Sequence, residues 1–243
     1  MERKTVESTA EWNVAPGLFV ISFAGVVFFL AQALLTSPDI VPSVKIGSLV
    51  LSWIGAFILC FGRKAAWSEL FPLLFLFWLV PIPSVALAKI VHYLQVGSAE
   101  TAWLIFSTVG VPISRDGVLL SIPGLNIEVA RECSSIRSSL MLLVTTMVLA
   151  QLFLRSPLRK LLVIGLAVPL SVAKNGLRIF VIAMLGTRVD PGFLTGKLHH
   201  NGGIVFFAVA LAVIFLFLWI LMRTEDGSGS ASKQAVRFVS SSS

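Results

Sequence analysis

The chain has 243 residues, of which 56% are hydrophobic and only 13% charged, whereas soluble domains carry about 25% charged residues. With a mean hydropathy of +0.93, this composition excludes an ordinary soluble globular protein and says that the solvent is mostly lipid. The net charge of +7 is no sign of nucleic acid, because the basic residues sit in short loops between apolar runs, where they set membrane orientation. Cys60 and Cys133, the two cysteines, are too few for a disulfide scaffold.

In chain order, the opening MERKTVESTAEW is polar with mixed charge. The apolar run after it lacks a small-residue cleavage site and reads as a retained span rather than a signal peptide. A membrane helix needs about 20 apolar residues. Runs that approach this length are 17–35, 46–61, 67–80, 136–154, 161–185 and 203–222. The third is short and ends at Pro81-Ile82-Pro83, where a missing amide donor and a restricted preceding residue stop a helix at the interface. The predicted fold is an all-α integral membrane protein, a polytopic bundle of about six transmembrane helices forming one membrane domain over 1–222. The segment 83–132 contributes an amphipathic helix on the outer face, interfacial or re-entrant, followed by a small β-hairpin. In that hairpin, DGVLLSIPGLNIEVA places two short apolar strands around Pro123-Gly124, a pair suited to a type II turn. The tail 223–243, rich in Ser and Gly, reads as disordered and cytoplasmic.

Orientation follows from the basic residues. With the N-terminus inside, Arg3, Lys4, Arg63, Lys64, Arg155, Arg159, Lys160, Arg223, Lys233 and Arg237 share one face, and Lys45, Lys89, Arg115, Arg131, Arg188 and Lys197 the other. The short, dense loops at 62–64 and 155–160 favour the same side. Both termini are therefore expected inside, with 84–132 outside.

Three groups on the outer side carry the chemistry. Cys133, in ECSSIRSS, stands at the polar start of the fourth span. The partial positive charge of a helix N-terminus lowers a thiol pKa, and Arg137, four residues on, could add to it. Anchoring of the helix at the headgroups by Arg131, Glu132 and Arg137 is an equal alternative for these residues. Cys60 reads as an inert apolar filler. Arg178 lies inside the fifth span, with Lys174 and Asn175 close by. A charge there costs on the order of 2.5–3.5 kcal/mol, so such residues face a bundle interior or a wet cavity. Counting from Leu185, Arg178 is roughly 10 Å below the outer end, and snorkelling would suit it better than Lys174, one turn deeper. His199 and His200 precede the sixth span. A thiol, a histidine and an arginine suffice for acyl transfer: nucleophile, proton carrier and oxyanion or carbonyl partner. Metal binding finds little support, since Asp190 is the only carboxylate near the histidine pair, and no cofactor is expected.

These residues resemble the exosortase/archaeosortase family over about 60–222. The resemblance rests on ECSSIRSS, similar to a Cys-Ser/Ala-Gly-Ile-x-Ser core, on NGLRI in the next span, and on a histidine followed by Gly and paired Phe. The proline pair before the outer segment and the IPG hairpin fit as well. Ser135 departs from the family's usual Gly, which alters the backbone beside the nucleophile and leaves the triad intact. The resemblance implies a membrane cysteine transpeptidase with Cys133 as nucleophile, Arg178 as basic partner and a histidine as third member. The family spacing to Gly203, Phe206 and Phe207 selects His199, with His200 as the alternative and Arg137 and Asn175 in support. It further implies a prokaryotic cytoplasmic membrane and an active site facing outward. The implied partners are membrane-anchored proteins bearing a C-terminal sorting signal and a cell-surface acceptor, lipid or glycan. The competing readings are a transporter with Lys174 and Arg178 on an anion path, and a non-catalytic component of polysaccharide export.

Overall fold

The computed structural model describes residues 14–129, 136–190, 192 and 197–240, the side chains of the last stretch only at 203–224. Cys133 therefore lies outside the described residues, and the side chains of His199 and His200 are not described. The contacts divide the chain into two compact units, Met1–Ala88 and Lys89–Ser243, where the sequence is read as a single membrane domain.

The first unit holds α1 (Ala15–Leu34), α2 (Ile40–Ser68), and α3 (Leu70–Phe75) continued by a 3-10 turn at Leu76–Leu79. The buried residues of α1 are Gly17, Ala24 and Ala31, spaced seven apart on one stripe, while Phe19, Phe29 and Leu34 are each 72% exposed. Small residues inward and large apolar ones outward are the pattern of helices packed in lipid, where close backbone approach replaces hydrophobic drive. A Cβ at Gly17 would lie 2.9 Å from the carbonyl oxygen of Gly55 on α2, so the two backbones touch there. The run expected as a third span begins differently: Trp67 and Ser68 belong to α2, which continues past Arg63 and Lys64. It does so across one non-helical residue, Gly62 (φ +83°, ψ 165°), a conformation that glycine adopts without steric cost. The chain then leaves helix at Val80 and resumes at Ser84, as the prolines between them require.

The second unit contains most of α4 (Ser84–Thr108), then strands β1 (Ser114–Asp116), β2 (Leu119–Ile122) and β3 (Leu125–Glu128), and helices α5 (Ile136–Phe153), α6 (Pro157–Arg188) and α7 (Lys197–Ser240). The expected hairpin is β2–β3, closed at Ile122↔Leu125 with Gly124 at φ +83°, as a type II turn with Pro at its second position demands. A third strand joins it: β1 pairs antiparallel with β2, giving the order β1-β2-β3. The signal for this strand was Asp116-Gly117 before an apolar run; the pairing Asp116↔Leu119 makes Gly117-Val118 the two-residue turn, with Gly117 at φ +59°.

The sheet packs on α4 and α6. Leu120, Val129 and Ile127 meet Ala99, Ala102 and Ile179, and Ile122 meets Phe106 and Ala183. Gln95 Nε2 donates to the carbonyl of Val129 at 2.7 Å, and Arg115 pairs with Glu100, so two polar contacts fasten the sheet to α4. A second core joins α5, α6 and α7 through Leu142, Ala150, Val163, Ala210, Ile214 and Leu218. Five helices are long and apolar enough to cross a membrane, or up to six if Leu70–Leu79 with Ser84–Thr108 counts as one broken span. The chain is a multi-pass helical membrane protein. Helix α7 runs on to Ser240. Arg159 holds its exit from the apolar region, donating to the carbonyl of Leu221 at 2.8 Å and to Thr224 Oγ1 at 3.0 Å. Helical hydrogen bonds are local, so Gly and Ser weaken the extension by less than about 1 kcal/mol each without forbidding it.

Candidate functional site

Polar contacts fix the levels at which α5, α6 and α7 meet. At one end, Lys160 of α6 donates to Gln151 of α5 at 2.7 Å, and Arg159 reaches Leu221 and Thr224 of α7. At the other end, Lys174 of α6 donates to Ser138 of α5 at 2.5 Å. One turn further along α6, Arg178 lies beside α7, where a Cβ on Gly203 would stand 4.0 Å from its Nη1. The three helices therefore run alternately up and down. The first turn of α5, the 174–178 stretch of α6 and the first turns of α7 share one end of the bundle.

Arg178 and Asn175 occupy one face of α6 with Ile179, Ile182 and Ala183. Together with 125–129 they line a cleft of about 240 Å³ between α6 and β3. Asn175, 1% exposed, donates through Nδ2 to Ser98 Oγ of α4 at 2.9 Å. Among the described residues its buried Oδ1 has no hydrogen-bond partner. Burying an amide acceptor unpaired costs about 1–3 kcal/mol. Close packing makes the arrangement possible: at Gly176 a Cβ would meet the Cβ of Thr101 at 2.6 Å and the amide nitrogen of Ala102 at 3.0 Å. Only a residue without a side chain lets α6 come this near to α4, and this contact sets Asn175 against Ser98.

The structure thus unites Arg178 and Asn175 at one cleft, with Lys174 turned to α5. Arg137 is exposed on the first turn of α5 and is not among the residues lining the cleft. Ser98 and Ser138 are the partners that sequence reasoning missed. Each was visible only as a small hydroxyl among apolar residues, and nothing in one sequence tells which helix such a hydroxyl faces. Ser138 was part of the quoted ECSSIRSS segment, so its neighbourhood was legible and its partner was not.

The fold and this cleft define a polytopic helical membrane protein with a polar site at one end of its bundle. The profile of the transmembrane exosortase family (Exosortase_EpsH) matches residues 1–216, and the chain belongs to that family. The match reaches the N-terminal helices, which the motif resemblance over about 60–222 left out. No curated protein and no solved structure matches the chain.

Proposed function

We propose that the protein is a membrane cysteine transpeptidase that cleaves a C-terminal sorting signal from surface-destined proteins and passes them to a surface acceptor. The observation that carries this reading is the position of Arg178. Its guanidinium lines the cleft and approaches α7 at Gly203, one helical turn after His199 and on the same helical face. The cleft wall ends at Val129, four residues before Cys133, and main-chain length ties the two Cα atoms to within about 14 Å. In the sequence Cys133 also stands three residues before α5 begins.

In the proposed reaction the Cys133 thiolate attacks the carbonyl carbon of the scissile peptide. Arg178 steadies the oxyanion that forms. The C–N bond breaks, His199 gives its proton to the leaving amine, and the acyl group remains on sulfur as a thioester. An acceptor hydroxyl or amine, deprotonated by the histidine, then attacks the thioester and releases the thiolate. The site faces outward across a prokaryotic cytoplasmic membrane, where a substrate held by its own helix enters sideways from the lipid.

The test is processing of membrane-anchored surface proteins in cells whose chromosomal copy carries Cys133→Ala. Unprocessed precursor should accumulate while the variant remains inserted, and Cys133→Ser should retain at most a trace. Full processing by Cys133→Ala would refute the enzyme reading and favour transport or export assembly.

A further inference from the structure

Residues 125–129 of and beside β3 line the cleft, and among the described residues no strand covers the outer edge of β3. The sheet order makes β3 an edge strand, and its register with β2 fixes which main-chain groups point outward. Val129 N–H donates to the Val118 carbonyl at 3.0 Å, and Leu120 stands opposite Ile127. Antiparallel ladders alternate bonded and non-bonded pairs, so Leu125 and Ile127 turn their N–H and C=O groups to β2, as Val129 does its N–H, while the Val129 carbonyl accepts from Gln95. Asn126 and Glu128 turn theirs to the free edge. Among the described residues none hydrogen-bonds to those outward groups. Unpaired strand edges are templates for another strand, and proteins that do not use them cover or blunt them.

Across the cleft stands the matching wall of α6. From Asn175 to Ala183 it rises about 12 Å, and 125–129 spans about 13 Å of strand. The two walls are equal in length to three or four extended residues. The buried Asn175 Oδ1 in this cleft lacks a donor. An extended peptide offers amide N–H groups on both of its edges in alternation, one set for β3 and the other for α6.

We propose that the cleft binds a peptide in extended form, as an added strand whose main chain pairs with Asn126 and Glu128 and whose opposite edge gives an N–H to Asn175 Oδ1. That this peptide is the segment being cleaved rests on the transpeptidase reading; the mode of binding does not. Affinity then comes from main-chain bonds, which are indifferent to sequence, and specificity from the alternate side chains.

The experiment uses the full chain as Cys133→Ala in lipid nanodiscs, so that binding is read without catalysis. The probe is a phage-displayed pool of random octapeptides, from which captured sequences are made synthetically and N-methylated one residue at a time. N-methylation should weaken binding at least tenfold at some residues and leave their neighbours nearly unaffected, with a period of two. Asn126→Pro and Glu128→Pro, which remove outward donors and spare the bonds to β2, should each cost about tenfold, a 1.4 kcal/mol effect. A flat N-methyl scan, or failure to capture any peptide, would overturn the added-strand proposal. Because the scan alters only the peptide, misfolding of a proline variant cannot imitate the result. Period-two binding with no thioester on the wild-type Cys133 would leave this inference standing and defeat the transpeptidase reading.

Discussion

Asn175 shows how a single side chain separates a structural from a functional role. One end of its amide is satisfied by Ser98 and the other is buried without a partner. Replacing both members of a buried polar pair by apolar groups of similar shape is nearly neutral or stabilising, because no desolvated group is left behind. The double variant Ser98→Ala/Asn175→Leu should therefore unfold at the same temperature as the parent or higher, while peptide binding and processing fall at least tenfold. A loss of stability equal to the loss of binding, read by thermal unfolding in detergent, would make the pair purely architectural. The histidines are separated by a similar argument. His199 and Gly203 lie on one face of α7, and His200 is turned about 100° from it. Substitution of His199 by Ala should abolish processing, and substitution of His200 should leave most of it; the reverse order, measured on the same precursor, would transfer the role to His200.

At the scale of elements, what the sequence revealed depended on whether the signal was local. The apolar runs that became α1, α5 and α6 and the Pro123-Gly124 turn were legible because composition and turn chemistry act within a few residues. The third span was misjudged at its start, because one glycine conformation let α2 run through the basic pair at Arg63 and Lys64. Arg178 and Asn175 were legible as polar residues out of place in an apolar run. Their partners were not, because the close approaches of α4 to α6, Gly97 against Val172 and Gly176 against Thr101, are contacts that no periodicity announces. Gly176 is accordingly the test of this packing. A Cβ 2.6 Å from another forces the helices apart, and overpacking costs typically 1–3 kcal/mol. Gly176→Leu should lower the midpoint of thermal unfolding. At temperatures where it stays folded, it should weaken peptide binding as much as loss of Asn175 does. Equal binding by Gly176→Leu and the parent would show that the α4–α6 approach does not position the site.

For the molecule as a whole, the proposed activity requires one end of the bundle to face outward. Described contacts tie α5, α6 and α7 into an alternating set, so the orientation of any one fixes the other two. Arg155, Arg159 and Lys160 mark the α5–α6 connection, and basic loops remain inside. The proposed orientation accordingly puts the 174–178 level of α6 and the first turns of α7 at the outer end, and Cys133 precedes α5 in the sequence. Cys60 is exposed on α2 two residues before Gly62, next to the basic pair assigned to the inside. The two thiols should thus answer differently to a membrane-impermeant maleimide added to intact spheroplasts. In single-cysteine variants, the chain retaining Cys133 should label and the chain retaining Cys60 should label only after the membrane is opened. A thiol close to a guanidinium ionises more readily than a free one, and the thiolate is the reacting form. Arg178→Gln should therefore slow the labelling of Cys133 at neutral pH, and raising the pH toward the ordinary thiol value near 8.5 should narrow the difference. Labelling of Cys60 in sealed spheroplasts with Cys133 silent would invert the molecule and turn the proposed active site inward. An unchanged rate in Arg178→Gln would leave the orientation intact and remove Arg178 from the thiol's surroundings.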